Sequence, residues 1–155
     1  MSVALAYSLK DDGIVVLPEL TADLGNGLTG YYQQEPNAGC LRAALATALQ
    51  EPYEDIHLAS DRWPEALFVF AFGRGMEAER RHLVDGPPEL LWVIATPPLP
   101  EVGGDRHVLV GKGSEVCFDT WGWRRADGSP YPDNPPRIEP DHGYVLRKEP
   151  HHGNR

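Results

Sequence analysis

A chain of 155 residues fits one domain, large enough to bury most of its apolar surface without cross-links. Its 14 Lys and Arg face 23 Asp and Glu, and the net charge of −9 argues against nucleic acid or an anionic membrane as the main partner. Two cysteines argue against a disulfide framework, and 16 Gly with 15 Pro foretell much irregular loop.

Taken in order, Leu5, Tyr7 and Leu9 alternate with small or polar residues, Asp11-Asp12-Gly13 supplies a turn, and Ile14 to Leu17 follow, which predicts a β-hairpin. The opening residues lack a basic region followed by a long apolar one, so they do not read as a signal peptide. Residues 18–36 carry Pro18, Gly25-Asn26-Gly27, Gly30 and Pro36 and are expected to be mostly loop. From Cys40, the residues Leu41, Ala44, Leu45, Ala48 and Leu49 recur at helical spacing, and Glu51-Pro52 closes that helix. Pro52 to Ile56 reads as a short second helix, and Trp63-Pro64 opens a third that runs to Gly73 or Gly75. Four runs of strand type follow, at 90–95, 107–110, 115–119 and 143–147. A long Asp/Pro/Gly loop spans 124–142, and 149–155 is expected to be a frayed tail. The expected class is α+β: one domain over 1–148, with a Cys-bearing N-terminal helix packed on a C-terminal antiparallel sheet of about four strands.

Cys40 falls in the first turn of its helix, where unpaired backbone N–H groups and the positive dipole end favour a thiolate. A cysteine nucleophile needs a base to take its proton and a third group to orient that base. Of the six histidines, His107 opens a strand that is followed by a tight turn and a second strand ending in an acid, Asp119. If the two strands pair across the three-residue loop Lys112-Gly113-Ser114, Asp119 stands directly opposite His107 on one face. A slip of one residue puts them on opposite faces.

In this order the chain resembles the papain-like thiol hydrolases. Gln34 lies six residues before Cys40, the spacing that family uses for the glutamine that donates to the oxyanion. Asp119-Thr120-Trp121-Gly122 is similar to the family's Asn-Ser-Trp-Gly, whose tryptophan covers the bond between histidine and its orienter. The Cys–His–Asp form and the small size resemble the compact bacterial or viral branch near the bacteriocin-processing peptidases. The resemblance covers roughly 34–56 and 105–147. It implies catalytic roles for Cys40, His107 and Asp119, an oxyanion role for Gln34 and a covering role for Trp121.

Each residue also has a structural alternative: Gln34 as an ordinary loop amide beside Gln33, His107 as a strand residue, Asp119 as a turn initiator, and Trp121 and Trp123 as plain core. Cys117 reads as a packed thiol. His142 beside Asp141 lacks zinc spacing, so neither metal nor cofactor is expected. Arg80-Arg81-His82, Arg124-Arg125 and Arg147-Lys148 read as solvated faces.

The expected function is a cytoplasmic thiol hydrolase acting on a peptide or protein substrate, as protease, amidase or deamidase. The alternatives are a thiol acyltransferase and a catalytically silent interaction or immunity module. Oligomeric state is open.

Overall fold

The structure is a computed structural model and describes residues 5–11, 13–36, 38–60, 62–99, 106–133 and 139–148. The expected tail at 149–155 lies outside the described residues, as does part of the 124–142 loop. Among the described residues the protein is α+β, with two α-helices and mostly antiparallel sheets. No helix among the described residues is long and apolar enough to cross a membrane.

The N-terminal hairpin pairs β1 (Leu5–Leu9) with β2 (Gly13–Leu17), and Gly13 turns the chain at a positive φ of 77°. Residues 18–36 are not mostly loop. They hold a second hairpin, β3 (Thr21–Gly25) and β4 (Leu28–Tyr31), closed by Asn26 and Gly27, both at positive φ. An Asn-Gly pair is the preferred chemistry for such a turn, so the glycines here mark a hairpin tip and do not mark disorder of the ladder.

Helix α1 (Cys40–Leu49) starts at Gly39, with φ 95° and no side-chain cap, and ends at Gln50, whose left-handed backbone donates to Ala46 and Thr47 carbonyls. Its side chains also hold the open edge of β4. Thr47 Oγ1 accepts from the Tyr31 N–H at 2.8 Å, and the Gln50 amide both accepts from and donates to the Thr29 backbone at 2.8 Å. The expected second helix is a single 3-10 turn over Tyr53–Asp55. Helix α2 (Glu65–Gly73) ends where the glycine predicted it would.

The main sheet has five strands, one more than expected. The additional strand is β5 (Met76–His82), a charge-rich edge strand; the others are β6 (Leu91–Ala95), β7 (Val108–Lys112), β8 (Glu115–Phe118) and β10 (His142–Lys148), in the order β5-β10-β6-β7-β8. Its sequence, Met-Glu-Ala-Glu-Arg-Arg-His, is mostly charged, as suits an edge that must not pair with another chain, while Ala78 packs against the principal core. Arg81 and Arg147 both bond Glu79, so the basic pairs here serve a solvated strand face. Two residues of the long loop form β9 (Arg124–Arg125), which adds to β2 and makes a separate β1-β2-β9 sheet.

The principal core joins Leu41, Ala44 and Leu45 of α1 and Leu67 and Phe70 of α2 to Val93, Val108, Val110, Phe118 and Tyr144. A smaller cluster of Val15, Leu17 and Trp123 lies under the N-terminal sheet.

The β7–β8 register differs from the expected one. The turn has two residues, Gly113 and Ser114, because Lys112 already pairs with Glu115 and Gly111 with Val116. Continued unchanged, that register would set His107 and Asp119 on opposite faces. A bulge at Cys117 then shifts the ladder so that Val110 pairs with Phe118. Extended by one rung, the shifted register returns Asp119 to the face of His107, as a diagonal neighbour and not a direct partner. Cys117 is exposed in this bulge and is not a packed thiol.

Candidate active site

His107 precedes β7 and Asp119 follows β8, so both project from one end of the sheet. His107 Nε2 and Asp119 Oδ1 are 2.7 Å apart. The His107 backbone is held from the other side by Thr96: its N–H donates to Thr96 Oγ1 at 2.9 Å, and its carbonyl accepts from the Thr96 N–H at 3.0 Å. Thr120 Oγ1 donates to the Val108 carbonyl at 2.8 Å, bridging the strands beside the pair. Asp119 Oδ1 accepts in addition from the Trp121 N–H at 3.0 Å, which fixes the carboxylate.

The other side chain that acts on the His107 ring is that of Cys40, which together with Asp119 favours the imidazolium. With Nε2 committed to Asp119, Nδ1 is the nitrogen left for the thiol. Burial works against the imidazolium. The hydrogen bond to Asp119 and the Cys40 side chain, together with the charges of both groups, outweigh it and push the His107 pKa up to about 9. The geometry therefore brings together three of the five residues singled out from the sequence: Cys40, His107 and Asp119.

The other two are placed less directly. Gln34 is half-buried, and its side-chain amide bonds no other described residue. Gln33, 3% exposed, takes the structural role instead: its side chain donates to the Glu35 and Ala38 carbonyls at 2.8 and 3.1 Å and so closes the loop before Cys40. Its backbone carbonyl accepts from Trp123 Nε1 at 3.0 Å. Trp121 stacks on Tyr131 and donates from Nε1 to the Tyr131 carbonyl at 2.8 Å, while Trp123 is core.

Sequence reasoning missed Thr96, Gln33 and Tyr53 as supports of this constellation. Thr96 and Tyr53 carry no local signal, since each acts on a backbone group many residues away, and Gln33 bonds carbonyls two and five residues on in a loop with no regular pattern.

His142 is buried in β10 and does not lie in a loop. Its Nδ1 meets Asp141 Oδ1 at 2.6 Å and its Nε2 accepts from Trp63 Nε1 at 3.2 Å, so both ring nitrogens are used within the fold. The described residues form no cluster of three or more His, Cys, Asp or Glu able to hold a metal ion. A hollow of about 550 Å³ lies against β8, lined by Val84, Pro88, Lys112 and Cys117 among others, and a second of about 190 Å³ lies between α1 and the sheet near Leu49, Leu91 and Tyr144. Neither is lined by Cys40.

Comparison of the chain with protein-family models, with curated proteins and with solved structures finds no match.

Proposed function

We propose that this protein is a thiol hydrolase of papain-like fold that cleaves a peptide or amide bond through Cys40, His107 and Asp119. The observation that carries the reading is that Cys40 lies close enough to act on a histidine whose far nitrogen is held by a carboxylate at 2.7 Å. A buried structural cysteine needs neither partner. The placement of the cysteine at the first turn of a helix, with its apolar face in one core with β6 and β7, supports the papain-like part of the reading.

In the proposed mechanism the Cys40 thiolate, paired with the His107 imidazolium, attacks the carbonyl carbon and forms the S–C bond. The carbonyl oxygen takes the negative charge and is stabilised by the Cys40 backbone N–H and the Gln34 side-chain amide. Helix α1 has no side chain capping its start, so the N–H groups of the first turn are not spent on a cap. His107 gives its Nδ1 proton to the leaving amine as the C–N bond breaks. Water, deprotonated by the same nitrogen, then releases the acyl group and restores the thiolate. Asp119 holds the ring so that Nδ1 faces the sulfur.

The test is a pH–rate profile for alkylation by iodoacetamide. A paired thiolate reacts at about pH 6, where an ordinary thiol of pKa about 8.5 is almost wholly protonated. A profile that rises only near 8.5 would leave the silent-module alternative in possession. A trapped acyl-enzyme that prefers added amines to water would favour the acyltransferase alternative.

Asp119→Asn should cost less than loss of the imidazole. It exchanges a charge-assisted hydrogen bond for a neutral one, a difference of about 1 to 1.5 kcal/mol, and so lowers the rate about tenfold. The same variant should move the alkaline limit of the profile downward, because Asp119 is one of the groups that raise His107.

A further inference from the structure

We infer that Tyr53 is a positioning residue of the oxyanion site, holding Gln34 in register with the start of α1. This inference rests on the hydrolase reading and deepens it.

An oxyanion site works only when its two donors converge on one point, to within a fraction of an ångström. Here the two donors, Gln34 and the Cys40 N–H, are separated by a loop whose described residues carry one isolated bridge, between Glu35 and Ala38. The Gln33 side chain closes that loop from inside through the Glu35 and Ala38 carbonyls. Tyr53 touches both ends. Its hydroxyl accepts from the Gln34 N–H at 3.2 Å. The same oxygen lies against the bare Cα of Gly39, where an added Cβ would come within 2.7 Å of it. Gly39 therefore has two reasons to be glycine, its φ of 95° and the approach of this hydroxyl.

Tyr53 is itself rigidly mounted. It is 4% exposed and opens the 3-10 turn after α1. Arg42, on the first turns of α1, stacks on its ring at 4.2 Å and donates from Nε to its backbone carbonyl at 2.9 Å. The helix that carries Cys40 thus holds the tyrosine that holds Gln34. Burial keeps the Tyr53 phenol above its ordinary value, so the contact persists as a neutral hydroxyl across the working pH range.

Two reactions of Cys40 separate this role from general support of the fold. Alkylation by iodoacetamide displaces iodide at a saturated carbon and develops no oxyanion. Acylation by p-nitrophenyl acetate forms an S–C bond at a carbonyl, passes through an oxyanion and expels nitrophenolate. The ratio of acylation to alkylation at one pH therefore reads the oxyanion site alone, and partial loss of folded protein largely cancels in it. In Tyr53→Phe the ratio should fall about tenfold, with the loss in the acylation rate constant and not in the half-saturating ester concentration. Gln34→Ala should show a loss of similar or larger size, and the double variant should fall no further than Gln34→Ala, since the role inferred for the hydroxyl is to place that side chain.

An unchanged ratio in Tyr53→Phe overturns the inference, even if the melting temperature drops. Additive losses in the double variant overturn it as well. A wild-type protein that alkylates no faster than a free thiol at about pH 6 overturns the hydrolase reading itself, and this inference with it.

Discussion

Replacing His107 by alanine should slow alkylation of Cys40 at about pH 6 by roughly 100-fold, because the thiol then ionises only to the small extent of an unpaired one. The fold should survive, since His107 projects from the end of β7 and the core valines begin at Val108. The pH dependence has a definite sign. The folded pKa of His107 is raised from 6.5 to about 9, so the imidazolium is present through neutral pH and is lost as pH rises through about 9. Amide cleavage, which needs that proton for the leaving amine, should fall off on the same limb. The shift also bears on stability. A group that binds its proton more tightly when folded stabilises the fold fully below about 6.5, and that contribution disappears as pH climbs through about 9. The difference between the two values corresponds to roughly 3 kcal/mol as an upper bound. Urea midpoints of wild type and His107→Ala at pH 6 and pH 10 check it: the wild type should lose stability across that interval and the variant much less.

Trp123→Ala should be the most destabilising single change at the N-terminal sheet, by about 3 to 5 kcal/mol. Trp123 is 1% exposed, packs with Val15 and Leu17, and meets Tyr7 edge-on at a centroid distance of 5.2 Å. Truncation would empty that cluster and leave the Gln33 carbonyl without the 3.0 Å bond from the indole. Gln33 is the residue that closes the loop before Cys40, so the loss of stability should come with a loss of acylation rate. Thermal melts give the first effect and the nitrophenyl ester the second. Trp123→Phe, which keeps most of the ring volume but not the N–H, should restore most of the stability and less of the rate.

Helix α1 and the β1–β2 hairpin were legible in the sequence because both are specified locally. An apolar stripe at 3.6-residue spacing with a proline stop, and a Gly-containing turn between two alternating runs, need no distant partner to be recognised. The β3–β4 hairpin carried an equally local signal in Asn26-Gly27, which was masked by the surrounding prolines and glycines. Strand β5 had none. Its seven residues are mostly charged, and it is a strand because β10, sixty or more residues later, supplies its ladder.

The candidate site divides the same way. The sequence by itself determined that a cysteine begins a helix and that a histidine and an aspartate flank a tight turn between two strands, since those are matters of spacing along the chain. Tertiary structure decided whether they meet. A two-residue turn where three were expected would have set His107 and Asp119 on opposite faces, and the bulge at Cys117 reverses that error. A bulge answers to strain and packing across strands, which no local pattern encodes. The same is true of Tyr53 and Thr96. Each supports the site through a backbone group brought near by folding, and backbone groups are alike in every sequence.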